Sequence, residues 1–170
     1  MGFRVLVAYG TKYGATAKIA EKVGQVLNES GLQADVLPAG RVSDLTPYQA
    51  VVLGSAVYAG RWRKEPATLL RTYEQALAER PVWLFSSGPG GEGDTAELMK
   101  GWHFPEALQP IADRIEPRDI ALFHGAIDMQ KLGLAEKLLV KALRAPAGDF
   151  RDWATITSWA TEIAATLKEQ

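Results

Sequence analysis

At 170 residues and 47% hydrophobic content, the chain is sized for one sizeable core, and its length argues against a second independent domain. It contains no cysteine, which excludes disulfides, thiolate metal sites, thiol nucleophiles and iron-sulfur clusters, so any redox chemistry needs a borrowed cofactor. A formal net charge of -1, with no basic stripe interleaved with aromatics, speaks against nucleic acid as a partner and leaves partner choice to local patches.

In chain order, Met1-Gly2-Phe3-Arg4-Val5 lacks the basic-then-apolar pattern of a signal peptide, and no later run approaches the ~18 apolar residues of a membrane-spanning helix. A soluble, cytoplasmic protein is expected. Phe3 to Tyr9 reads as a buried first strand, followed by a helix from about Ala15 to Ser30 with Ile19, Val23, Val26 and Leu27 on one face and Gly31 closing it. Ala34 to Leu37 reads as a short peripheral strand. Ala50 to Gly54 reads as a third strand buried on both faces, and a helix is expected from about Glu65 to Ala78. Pro81 to Phe85 and Ile120 to Phe123 supply strands four and five, separated by a Pro- and Gly-punctuated region with at least one short helix. A last helix runs from about Asp152 to Leu167.

Strands alternating with amphipathic helices predict the α/β class, a three-layer fold around a five-stranded parallel sheet of order 2-1-3-4-5. Its ligand crevice lies outside the carboxyl ends of strands one, three and four. The segment from Asp128 to Gly148 exceeds this plan and reads as a helical insertion, with a helix over about Lys131 to Arg144. Leu134, Leu138, Leu139, Ala142 and Leu143 fall on one side of it, with Lys131, Lys137, Lys141 and Arg144 elsewhere.

Three loops carry the candidate chemistry. The first, Thr11-Lys12-Tyr13-Gly14-Ala15-Thr16, precedes a helix, so its free amides, the helix dipole and two hydroxyls favour a phosphate that Gly14 lets approach. It matches neither the Walker A nor the Gly-x-Gly-x-x-Gly spacing, which disfavours nucleoside triphosphates and dinucleotides; for the loop alone, an ordinary N-capped helix is the rival reading. The second, Ser55, Ala56, Val57, Tyr58, Ala59 and Gly60, ends strand three. The third, Ser86, Ser87, Gly88 and Pro89, ends strand four. Small residues in both let backbone amides reach the edge of a flat ring, with Tyr58 or Trp62 against its face.

Together the three loops resemble the phosphate and ring loops of the flavodoxin family, which binds FMN non-covalently. Thr-Lys-x-Gly-x-Thr, Gly-Ser-Ala-Val-Tyr-Ala-Gly and Phe-Ser-Ser-Gly-Pro resemble the branch that contains menaquinone-dependent protoporphyrinogen oxidase. Gly125-Ala126-Ile127, the inserted helix and Asp152-Trp153 followed by Ile156, Trp159 and Ala160 also resemble that branch, whereas Asp128 to Gly133 departs from its basic and aromatic segment. The resemblance implies that Thr11, Tyr13, Gly14, Ala15 and Thr16 hold the FMN phosphate, with the isoalloxazine between the loops around Tyr58 and Ser87. Lys12 either compensates the phosphate charge or points to solvent.

The resemblance further implies an FMN-dependent oxidoreductase that takes hydrogen from a porphyrinogen and passes electrons to a quinone, with no protein acid or base required. His103 and His124 are expected to be structural. The leucines of the inserted helix either pack on the domain, as in most amphipathic helices, or rest on an anionic bilayer with the lysines beside them. The alternative is an electron carrier docking on redox proteins, although carriers of this family are typically far more acidic.

Overall fold

The computed structural model describes residues 3–88, 91, 93–142 and 147–169. The first strand, β1 (Arg4–Gly10), is buried on both faces, and its side chains alternate between two cores. Val5 and Val7 point to one core, Leu6 and Ala8 to the other, as a period-two strand requires. The same division runs through β3 (Ala50–Tyr58) and β5 (Val82–Ser87): Val52 and Phe85 lie on the first side, Leu53 and Leu84 on the second. With β2 (Gln33–Pro38) and β6 (Asp119–Phe123) at the edges, the parallel order is β2-β1-β3-β5-β6. That is the expected 2-1-3-4-5 once the short hairpin strand β4 (Arg61–Trp62), paired antiparallel to β3, is set aside.

One face is covered by α1 (Ala15–Glu29) and α7 (Trp153–Lys168). Ile19, Val23, Val26 and Leu27 of α1 face Ile156, Trp159, Ile163 and Leu167 of α7, the 3–4 spacing of an apolar stripe. Helix α1 ends in a Schellman arrangement, with Leu32 N donating to Leu27 O and Gly31 N to Asn28 O. Asp152 caps α7 by accepting from Thr155 N at 3.2 Å. The opposite face carries α2 (Lys64–Thr72), α3 (Glu74–Ala78) and α5 (Gln109–Ile115), with the single-turn α4 (Thr95–Leu98) between β5 and α5. The one helix expected over 65–78 is thus two. Tyr73, at φ -105° and ψ 22°, distorts the chain between them.

Two further expectations are corrected. Strand three does not stop at Gly54 and strand four does not stop at Phe85, because the small residues Ser55, Ala56, Ser86 and Ser87 stay in register, Ser55 opposite Ser86 and Ala56 opposite Ser87. Smallness at Gly54 serves packing, since a Cβ there would fall inside the buried Phe85 ring. The insertion begins with β7 (Ala126–Ile127) and a single 3-10 turn at Met129–Lys131, continues as α6 (Leu134–Ala142), and returns through β8 (Gly148–Asp149), which pairs with β7. Leu143 and Arg144, expected in its helix, lie outside the described residues.

Among the described residues, no helix is long and apolar enough to cross a membrane.

Candidate functional site

At the carboxyl ends of β1, β3 and β5, a cavity of about 230 Å³ opens between the three expected loops. Thr11, Tyr13, Ala15 and Thr16 line it from the first, Ala56, Val57 and Tyr58 from the second, and Ser87 and Gly88 from the third. Gly14 adopts φ +95°, a left-handed conformation that an L side chain rarely takes, and so turns the loop into α1. Its N–H donates to Thr11 Oγ1 at 3.0 Å, which leaves the Thr11 proton for the cavity. The start of α1 has no side-chain cap and no acidic residue in its first turn. Its open amides and dipole therefore face the cavity unopposed from within the helix, an anion cradle rather than an ordinary capped helix.

Thr16 and Ser87 are buried, and their hydroxyls share a 2.8 Å hydrogen bond that ties the cradle to the end of β5. With Ser87 donating, the Thr16 proton is left for a phosphate oxygen. Gly88 brings two segments together: a Cβ on it would meet Val57 Cβ at 3.3 Å, and a Cβ on Gly125 would meet the Gly88 backbone at 3.2 Å. No side chain intervenes there, so the chain itself forms the narrow end of the slot.

Several of the expected residues do not line the cavity. Ser55 Oγ accepts from Arg63 N at 2.8 Å, and Ser86 Oγ accepts from Trp62 Nε1 at 2.8 Å, so both serines brace the walls from behind. Trp62 is buried edge-on against Phe104 at a centroid distance of 5.2 Å, which removes it as a ring-stacking residue. Tyr58 remains, lining the cavity at 43% exposure, with the Arg63 guanidinium 5.7 Å from its ring centre. Burial pushes the Tyr58 phenol up, partly offset by Arg63. Ala59 and Gly60, both at positive φ, form the two-residue turn between β3 and β4, beyond the cavity. Pro89 lies outside the described residues. His124 Nε2 sits 2.8 Å from Gly93 O, and His103 is exposed; neither lines the cavity.

The Lys12 side chain is 39% exposed and is engaged by a carboxylate of the insertion. Its Nζ pairs with Glu136 of α6 at 2.9 Å, and the Tyr13 hydroxyl donates to the same carboxylate oxygen. These two bonds hold the Glu136 carboxyl below its usual range and raise both Lys12 and Tyr13. The insertion is thereby drawn over the cleft, where Gly125, Ile127, Asp128, Leu132, Glu136, Leu139 and Val140 complete the lining. Reading three loops alone misses this fourth wall. The signal available in sequence was the one-sided apolar helix; nothing distinguished Glu136 from a solvated acid.

No residue of α6 is buried, and Leu134, Leu138 and Leu139 are 77%, 60% and 58% exposed. Leu134 and Leu138 thus do not enter the domain core, while Leu139 edges the cavity. Of α6, the side carrying Glu136, Leu139 and Val140 turns toward the cleft.

An uncapped helix terminus at one end of a slot with small-residue walls defines a doubly wound α/β protein built for a phosphate-bearing planar ligand. The flavodoxin-domain family matches residues 6–153, and the chain belongs to the flavodoxin family, whose cofactor is FMN. No curated protein sequence matches it. Among solved structures it is similar to a flavodoxin from the domain Archaea, with 13% identity, 98% of this chain and 99% of that chain covered, and a TM-score of 0.61. It is also similar to a single-substitution mutant of the flavodoxin from Pseudomonas aeruginosa, with 17% identity, coverage of 98% and 99%, and a TM-score of 0.60. A flavodiiron core from Synechocystis superposes with 12% identity and a TM-score of 0.66, over 99% of this chain and 36% of that one. At these identities the structures share the fold.

The donor set fits FMN: open amides and the Thr11 hydroxyl suit a phosphate, and close backbone segments flanked by Tyr58 suit a flat ring.

Proposed function

We propose that this protein is an electron-transfer flavoprotein that passes electrons between redox proteins. The uncapped α1 terminus joined to a small-residue slot carries this reading, and membership of the flavodoxin family supports it. Bound FMN supplies the one- and two-electron chemistry that a chain without cysteine does not itself provide. Thr11, Tyr13, Gly14, Ala15 and Thr16 hold the phosphate end, while Ala56, Val57, Tyr58, Ser87 and Gly88 enclose the ring. Ser55 and Ser86 position the walls through Arg63 N and Trp62 Nε1. Tyr58, neutral at physiological pH with its phenol raised by burial, covers a ring face without adding charge.

A second reading is an oxidoreductase resembling menaquinone-dependent protoporphyrinogen oxidase, acting on a porphyrinogen-like substrate with a quinone as acceptor. The observation that favours it is α6. Leu132, Leu139 and Val140 give the cleft an apolar wall, and the outward leucines beside Lys131, Lys137 and Lys141 suit contact with the inner face of an anionic membrane.

One experiment separates the two. The purified protein is reduced, and its reoxidation by redox proteins and by a menaquinone analogue is followed alongside protoporphyrinogen oxidation. A carrier exchanges electrons with proteins and leaves the porphyrinogen untouched; porphyrinogen turnover establishes the second reading instead. A colourless preparation that ignores added FMN refutes both. Leu134→Ser with Leu138→Ser changes stability by no more than about 0.5 kcal/mol, since both side chains are exposed, but removes any sedimentation with phosphatidylserine vesicles.

A further inference from the structure

Among the described residues, four polar contacts cross from the insertion and its return to the loop 11–16 and the first residue of α1. Lys12 Nζ and Tyr13 OH meet Glu136, Lys131 Nζ donates to Tyr13 O at 3.3 Å, and Arg151 Nη1, beside the returning strand β8, donates to Ala15 O at 3.2 Å. At the base of the insertion, the two-residue pairing of β7 with β8 connects it to the body. Between base and tip α6 buries no residue. A helix with so little apolar anchoring is held where it is by its polar latch. The latch closes beside the cradle, with Tyr13, Glu136, Leu139 and Val140 all lining the one cavity.

Glu136 is an anion set against an anion site. Its carboxylate occupies the Lys12 ammonium and the Tyr13 hydroxyl, and Tyr13 and Glu136 both line the cavity, whereas Thr11 Oγ1 is held by the Gly14 N–H. A phosphate dianion arriving at the α1 amides would face the Glu136 charge and would recruit the same two donors.

We propose that Glu136 is an internal competitor of the cofactor phosphate: the two anions contend for Lys12 and Tyr13, so phosphate binding releases α6 from the cleft and an empty cradle draws it down. This rests on the FMN reading of the site. It makes Glu136 a positioning residue that acts through Lys12 and Tyr13, and it couples cofactor loading to the placement of the apolar wall formed by Leu132, Leu139 and Val140. The carboxylate acts only on the charged end of the ligand. Riboflavin, which has the ring without the phosphate, therefore neither senses Glu136 nor opens the latch.

The test compares FMN and riboflavin on the whole chain. Glu136→Gln and Glu136→Ala, at a part-exposed position where loss of folding is not expected, should each tighten FMN roughly two- to tenfold at low salt. The gain should shrink as salt screens the charges, and riboflavin affinity should stay within about twofold. In the wild type, FMN should speed amide hydrogen exchange across 131–142, and riboflavin should leave it as in the apoprotein. Unchanged or weakened FMN binding in both variants overturns the competition. Equal acceleration of exchange by riboflavin and FMN overturns it too, because the ring would then move the helix. Wild-type protein that binds neither flavin fails earlier, at the cofactor reading itself.

Discussion

The hydrogen bond between Thr16 and Ser87 joins the cradle to the ring-binding end of the slot, and it can be cut from either side. Thr16 is fully buried, Ser87 is 3% exposed, and their oxygens lie 2.8 Å apart. Thr16→Val keeps the side-chain shape and leaves the buried Ser87 hydroxyl without its partner; Ser87→Ala does the same to Thr16. Leaving one buried polar partner unsatisfied costs about 1–3 kcal/mol, whereas removing both partners is far cheaper because no orphan remains. With a urea slope of about 2 kcal/mol/M, each single variant should lower the unfolding midpoint by roughly 0.5–1.5 M. The double variant should lose clearly less than the sum, with a coupling of about 1 kcal/mol or more. FMN affinity should fall with Thr16→Val and not recover in the double variant, because both lack the Thr16 hydroxyl assigned to the phosphate. The assay is urea unfolding followed by tryptophan fluorescence, without and with FMN. Single variants that each cost under about 0.5 kcal/mol, or strictly additive losses in the double variant, would falsify the bond as the tie between the two halves of the site.

Gly14→Ala places a side chain at φ +95°; about 1–2 kcal/mol of backbone strain and weaker FMN binding are expected, read by thermal unfolding and by flavin fluorescence titration. Unchanged affinity would remove the turn from the cradle. The latch between Lys12 and Glu136 has a pH window. The Glu136 carboxyl is depressed from 4.5, so its contribution is complete above that value and is lost as pH falls through the lower folded value. Lys12 is raised from 10.5, so its contribution is complete below that value and is lost as pH rises through the higher folded value. Proteolytic cutting within 131–142 should therefore be slow near neutrality and faster at both extremes. A rate independent of pH, after correction for protease activity, would dissolve the latch.

Alternating β-branched and apolar runs carried the sheet, because strands buried on both faces, such as Val5 to Ala8 and Val51 to Leu53, have little else to become. The turn from Thr11 to Thr16 was legible for a similar reason, since a strand, a turn glycine and a helix start are local features; that the helix start carries no side-chain cap was not. The amphipathic character of α6 was legible as well. What it faces was not, since periodicity gives a helix two sides without saying which neighbour meets them.

Tertiary structure decided the remaining assignments. Ser55 and Ser86 look like ring-loop residues in sequence, yet strands β3 and β5 carry their hydroxyls to Arg63 N and Trp62 Nε1. Trp62 looks like a stacking residue until Phe104 is found against it. Glu136 lies 124 residues from Lys12 along the chain, and only folding brings the carboxylate to the mouth of the cradle. Sequence by itself determined the layers, the strand order and the glycine turn that leads into α1, all properties of contiguous segments. Which polar groups face the ligand and which hold the walls depends on the pairing of distant segments, and that pairing is fixed by packing across the sheet.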